Sequence, residues 1–240
     1  ETKNIIKLFQ QQQTKKISKI IDEDQSIQLF LNGSFSSPAF IDILRYYYDV
    51  IIKIKYPSEN FFPLYRKMIS LKESKLSFIE VVLIISDIKR IASISPYIDN
   101  VINKIIIKPS VRIIGNNAFS NFSSLTEVTI PSSVTSIEDC AFSKCGNLQK
   151  INIPSSVISI GHSAFFACYS IESISIPSSV TSIGVSAFNG CMSLKTVKNF
   201  SQITIVHGLT FSCCVCLTNI SIPSSIKIID SFAFKECSTL

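Results

Sequence analysis

The chain of 240 residues holds eight cysteines and two histidines, the side chains whose types could carry chemistry. Cys213, Cys214 and Cys216 lie close enough together to supply half of a thiolate metal site. A structural zinc site needs four ligands, commonly completed by a second Cys or His pair, and no such pair follows at a ligand spacing. His162 and His207 could serve as general bases near neutral pH, yet no acid–nucleophile arrangement repeats around them. A G-x-S-x-G elbow, a phosphate-binding loop and paired catalytic carboxylates are also missing. These residues predict a protein that is not an enzyme, with no catalytic residue, no metal and no cofactor.

What positions the cysteines is a period. Cys145, Cys168, Cys191, Cys214 and Cys237 fall 23 residues apart, and Phe122 fills the same place one interval earlier. Phe119, Phe142, Phe165, Phe188, Phe211 and Phe234 keep the same interval, preceded by Ala118, Ala141, Ala164, Ala187, Thr210 and Ala233. A second apolar column runs Ile114, Ile137, Ile160, Ile183, Val206, Ile229, and a third Val111, Val134, Val157, Val180, Ile203, Ile226. Between them recurs L-x-x-I-x-I-P, as at Leu148, Ile151, Ile153 and Pro154, whose alternation reads as a short strand stopped by proline. One strand per 23 residues cannot close a hairpin within its own repeat and must pair in parallel with the next, which makes a solenoid.

The pattern therefore predicts a right-handed stack over 107–240, with six repeats, the last truncated, and one parallel strand in each. Parallel rungs lie roughly 4.8 Å apart, which does not exclude disulfides along the cysteine column. In-register side chains point the same way, however, and pairing would satisfy only two of any three successive thiols, so buried free thiols are the expectation. Two repeats depart from the phrase: Asn199-Phe200 replaces Ile-Pro, and Lys108 stands where proline is expected, with Pro109 one place late. Irregular turns are predicted there. Leu240 aligns with Leu148, Leu194 and Leu217, the residue that opens the strand, and this predicts a longer parent chain with further repeats.

The recurring L-x-x-I-x-I-P-x-S-V-x-S-I-G-x-x-A-F-x-x-C resembles the leucine-rich repeats of the BspA-like family, known from bacterial surface proteins and expanded in parasitic protists. The resemblance covers about 107–240 and implies an α/β-type repeat solenoid, a leucine-rich repeat stack with parallel strands. It further implies a surface-antigen type of protein whose array mediates cell adhesion by binding host or matrix protein.

Residues 1–106 lack the period and form a separate, mainly helical region that would cap the stack. Gln10 to Gln13 reads as a loop or helix surface. Ile52 and Ile54 alternate as in a strand, and Ser58-Glu59 ahead of Phe61 and Phe62 reads as a helix start. Phe40, Leu44, Tyr46, Tyr48, Glu59, Asn60 and Leu64 together resemble the C-terminal half of a BTB/POZ-like domain over about 27–85. That resemblance implies an alternative function, an intracellular adaptor joining a BTB-like region to the repeat array. The apolar stretch from Phe78 to Ile106 is expected to pack helices over the first repeat.

With 46% apolar and 17% charged residues the chain can bury a large core, and its apolar runs are too short for a membrane span. The net charge of +6 comes from scattered lysines, not a dense basic run, so nucleic acid is not the expected partner. No signal peptide is legible after Glu1. Free thiols favour the cytosol, while the family resemblance favours the cell surface. A solenoid presents one face built from the variable strand positions of each repeat. Here these are Glu127 and Thr129, Lys150 and Asn152, Ser173 and Ser175, Thr196 and Lys198, Asn219 and Ser221. They are the candidate partner-binding residues. Small and polar, with no aromatic anchor, they predict weak single contacts that gain strength by repetition.

Overall fold

The computed structural model describes residues 51–56, 80–85, 88–92, 102–199 and 201–240. The chain divides into two compact units, 1–84 and 85–240. In the first, β1 (Ile51–Tyr56) is the strand that the alternation of Ile52 and Ile54 predicts. The Gln10–Gln13 run, the helix after Pro57 and most of the BTB/POZ-like phrase lie outside the described residues.

The second unit begins with the end of β2 (Glu80–Ile85) and climbs through a ladder that repeats every 23 residues. Each coil contributes two short strands where one was expected. The first set is β4 (Lys104–Ile107), β6 (Glu127–Thr129), β8 (Lys150–Ile151), β10 (Ser173–Ser175), β12 (Thr196–Lys198) and β14 (Asn219–Ile220). The second set is β3 (Arg90–Ile91), β5 (Ile113–Ile114), β7 (Ser136–Ile137), β9 (Ser159–Ile160), β11 (Ser182–Ile183), β13 (Ile205–Val206) and β15 (Ile228–Ile229). Pairing is parallel throughout both sets, with Glu127 opposite Lys150, Ser173 opposite Thr196 and Ser136 opposite Ser159. The S-I pair of the phrase is too short to announce a strand by alternation, which is why the second sheet was not read from the sequence.

Neighbouring coils are fastened by side chains of fixed type. The turns after β4, β6, β8, β10 and β14 close with an N–H to carbonyl bond, as from Val134 to Pro131 at 3.1 Å and from Val157 to Pro154 at 3.0 Å. The second serine of P-S-S then donates its hydroxyl to the coil below: Ser133 to Val111 O at 2.6 Å, Ser156 to Val134 O at 2.6 Å, Ser179 to Val157 O at 2.7 Å. The expected irregularity at Lys108 does not occur, because its carbonyl accepts from Val111 N–H at 3.1 Å as the proline carbonyl does elsewhere. At Asn199 it does occur. That residue takes φ 58°, Ser201 N–H turns back to its carbonyl at 2.8 Å, and the second sheet is interrupted between β11 and β13.

The remaining arc of each coil is turns. Among the described residues there is no helix, so the α/β-type description and the helical cap expected of Phe78–Ile106 are corrected for the residues described. In that stretch β3 and β4 carry the ladder one coil below the first recognisable repeat, pairing Arg90 with Ile113 and Lys104 with Glu127 across the expected 106/107 boundary. Ile91, Ile102 and Ile105 are buried there as members of the stack. The turn arc is itself laddered. Asn117, Phe119 and Asn121 donate N–H to Asp139, Ala141 and Ser143 of the next coil at 2.8–2.9 Å, while Ala118, Ser120 and Phe122 bond back within their own turn. Aiming alternate N–H groups along the stack places two residues per coil in left-handed backbone, such as Asn117 (φ 54°) and Asn121 (φ 66°), then Cys140 (φ 54°) and Lys144 (φ 62°).

Inside this arc the six phenylalanines form one column, ring centroids 5.3–5.5 Å apart and, from Phe142 to Phe211, within 4° of parallel. Alanine before each ring lets the backbones approach, as the Phe119 N–H to Ala141 O bond at 2.8 Å requires. Thr210, the exception, is buried but donates its hydroxyl to His207 O at 2.7 Å, so its polar atom is satisfied within its own turn.

Candidate functional site

Alternation within the first strand set decides which side chains face outward. Val128, Ile174 and Val197 are buried, while the residues flanking them project to solvent. Glu127 and Thr129, Ser173 and Ser175, and Thr196 and Lys198 therefore share one face, with Lys150 and Asn219 in register; Asn152 and Ser221 follow directly after β8 and β14 and are exposed. The period thus brings all ten predicted residues to the outward side of one strand set. Their charges are few. Glu127 pairs with Lys104 at 3.1 Å, and Glu172 with Lys195 at 2.9 Å along the flanking column, where the partner carboxylate holds the Lys195 ammonium above its ordinary pKa. Lys150 and Lys198 have no ion-pair partner among the described residues.

This face is not uniform. The first sheet runs as far as β8 and resumes as a separate β10–β12–β14 sheet. Gln149 N–H reaches Thr126 O at 3.0 Å and Lys195 N–H reaches Glu172 O at 2.8 Å, but the corresponding bond from Glu172 N–H to Gln149 O is not made. The coils stay joined elsewhere at this level, by the β9–β11 pairing and by the Phe142–Phe165 contact at 5.4 Å. Beside the seam lies a groove of about 390 Å³ lined by Glu127, Thr129, Gln149, Lys150, Asn152 and Ser173 together with strand backbone. Five of these six were predicted; Gln149 was missed because it precedes the alternating phrase.

The sequence reading also missed an apolar ridge. Tyr169, Met192 and Val215 occupy one column on three successive coils and are 48%, 46% and 36% exposed. The Tyr169 ring lies over Gly146 of the coil below, where an added Cβ would come within 3.2 Å of it. The missing side chain at 146 leaves room for that ring.

The cysteine ladder resolves into a hydrogen-bonded core column. Cys145, Cys168, Cys191, Cys214 and Cys237 are free thiols, each donating S–H to the carbonyl of the phenylalanine 26 residues earlier at 3.1–3.3 Å. Burial pushes the Cys145 and Cys191 thiols up to about 12 and Cys168 well above its ordinary value, the direction that suits a core residue and not a nucleophile. Cys213 is part-exposed and meets Glu236 at 3.3 Å. No cluster of three metal-ligating side chains occurs among the described residues. His162 is exposed; its ring Nε2 lies 3.2 Å from Ser163 Oγ, but Asp139 Oδ1 accepts from the His162 backbone N–H and so holds the main chain. His207 Nδ1 contacts Asp230 at 3.2 Å on the surface. Neither histidine joins a nucleophile to a ring-orienting carboxylate.

The sequence model of the BspA type leucine rich repeat region matches residues 97–214 and 204–240 in six copies. The chain belongs to this family. A leucine-rich repeat protein from Bacteroides ovatus is 40% identical over 58% of this chain, with a TM-score of 0.56; the match takes in 36% of that protein, so the chain spans about a third of its length. The T. pallidum leucine-rich repeat protein is similar in fold, at 24% identity over 62% of this chain and 73% of its own, with a TM-score of 0.59. No curated protein matches. The family match begins at residue 97 and lends no support to the BTB/POZ-like resemblance. Leucine-rich repeat proteins are protein-interaction modules, generally without enzymatic activity. No described helix is long and apolar enough to cross a membrane.

Proposed function

We propose that this BspA-type repeat protein is an adhesive module whose first strand set binds host or extracellular-matrix protein. The observation that carries the reading is the outward row from Glu127 to Ser221, polar, accessible and repeated in register at the rise of the stack. Small hydroxyl and amide side chains offer hydrogen bonds at each level without a dominant anchor. Useful affinity then arises from many weak contacts made together. Surface display of the chain belongs to the same proposal.

Beads coated with the full chain test it on deposited extracellular matrix and on cultured cells. Attachment is expected to exceed that of albumin-coated beads and to fall at least about tenfold with Ser175→Arg plus Thr196→Arg, which add bulk and charge to the row. Thr181→Arg, on the side of the second strand set, is expected to leave attachment unchanged. Attachment no better than albumin, or equally reduced by both kinds of variant, overturns the adhesive reading.

A further inference from the structure

We infer that the strand face is built for an extended acidic peptide segment, with carboxylates held by Lys150 and Lys198. The inference rests on the strand face being a binding surface and names the chemistry of what it binds. The first observation is a charge imbalance in the groove. Across Lys104, Glu127 and Lys150 there are two cations to one carboxylate, and that carboxylate is engaged by Lys104. Lys150 is left as an exposed ammonium at the groove edge, beside the amide and hydroxyl groups of Gln149, Asn152, Thr129 and Ser173.

The second observation is where the other unpaired cation stands. Lys198 lies on the same face, two coils above and two residues further along the strand direction. With strands about 4.8 Å apart and about 3.3 Å per residue, the two Cα positions are roughly 12 Å apart on a diagonal. Between them lie Ser173, Ser175 and Thr196, none large enough to obstruct a chain laid across the face. In an extended peptide, side chains at i and i+4 point the same way and stand roughly 13 Å apart. Two acidic residues at that spacing reach both ammonium groups while the peptide backbone meets the hydroxyls between. The interruption between β8 and β10 leaves the Glu172 N–H and the Gln149 carbonyl without a backbone partner immediately before Lys150, at the start of that path. A polyanion such as a sulfated polysaccharide is less well matched, because it requires dense positive charge and two other lysines of this face are already neutralised by Glu127 and Glu172.

The test is fluorescence anisotropy of the full chain with a labelled nonapeptide carrying two glutamates four residues apart in a Gly/Ser background. Binding is expected, weakening as salt rises. The Gln-for-Glu peptide should bind at least about fivefold more weakly, and Lys150→Glu or Lys198→Glu should each weaken the Glu peptide by a similar factor, while Lys227→Glu, an exposed charge just before β15, has no effect. Equal binding of the Gln peptide, insensitivity to both lysines, or no binding of the Glu peptide overturns the inference. Heparin binding that depends on both lysines without peptide binding overturns it too, assigning the face to a polysaccharide. If matrix attachment remains sensitive to Ser175→Arg plus Thr196→Arg while the peptide fails, the acidic-peptide inference falls and the adhesive reading stands.

Discussion

At the scale of single residues, the cysteine column explains itself by geometry. A thiol is small enough for the tight place beside the phenylalanine stack and supplies a second donor, from the next coil, to a carbonyl that already accepts the backbone N–H three residues on. Phe122 in the first repeat gives up that bond and instead packs edge-on to Phe119, with centroids 5.6 Å apart. Because folding raises the ladder thiols above their ordinary value of about 8.5, the unfolded chain loses those protons first as pH rises. Stability of the array is therefore full below about pH 8 and falls through the window up to about pH 12, where Cys145 and Cys191 titrate in the fold. Urea midpoints measured from pH 7 to 10.5 should decline, and the decline should flatten in a Cys145→Ala, Cys191→Ala chain. A midpoint independent of pH in the parent would contradict the burial of these thiols. Phe165→Ala, in the middle of the ring column, should cost about 3–5 kcal/mol by the same measurement, against no more than about 1 kcal/mol for His162→Ala at the surface.

At the scale of the coil, the apolar columns and the first strand were legible because burial imposes residue type. Phe119 to Phe211 and Val128 or Ile174 could be nothing polar where they sit. The turn arc was illegible for the opposite reason. Its left-handed positions hold Asn117, Cys140, Ser163, Ser186, Leu209 and Phe232 in one column, and Asn121, Lys144, Ala167, Gly190, Cys213 and Glu236 in the other. Only one of the twelve is the glycine that would have announced such a conformation. The ladder bonds between coils over-determine the backbone there, so side chains that disfavour it are carried along. Lys144 is exposed at φ 62° and should show this cost directly. Lys144→Gly is expected to gain up to about 1 kcal/mol and Lys144→Val to lose about 1–2 kcal/mol. Thermal unfolding that ranks valine above glycine would remove the strain argument. The glycines in the S-I-G phrase answer a different demand: a Cβ on Gly184 would stand 2.5 Å from the His162 backbone nitrogen of the coil below.

At the scale of the whole array, the period predicted the stack but not its discontinuities, since a fixed 23-residue spacing says nothing about which rungs are bonded. Repeat proteins hold together by interfaces between neighbours, and a complete interface here has two strand ladders, the N–H bonds of the turn arc and a ring contact. Between the coils of β8 and β10 the first ladder is missing, and between those of β11 and β13 the second is. Neither junction loses both, so the described coils are expected to unfold together. Removing the ring contact at a junction that already lacks one ladder should change this. Phe165→Ala takes out the 5.4 Å contact with Phe142 across the seam, together with the 5.3 Å contact with Phe188, and leaves the β9–β11 pairing and the turn-arc bonds to resist separation at that level. Tyr169 reports on the seam because its ring rests on Gly146 of the coil below. In the parent chain, fluorotyrosine NMR of Tyr169 and far-ultraviolet circular dichroism of the array should follow one urea transition. In Phe165→Ala the Tyr169 signal should change at lower urea than the dichroism. Phe119→Ala, at a level where both ladders are bonded through Glu127 to Lys150 and Ser136 to Ser159, should lower the midpoint and keep the two signals coincident. Coincident transitions in Phe165→Ala, at a midpoint lowered as much as in Phe119→Ala, would mean that the seam does not weaken its junction.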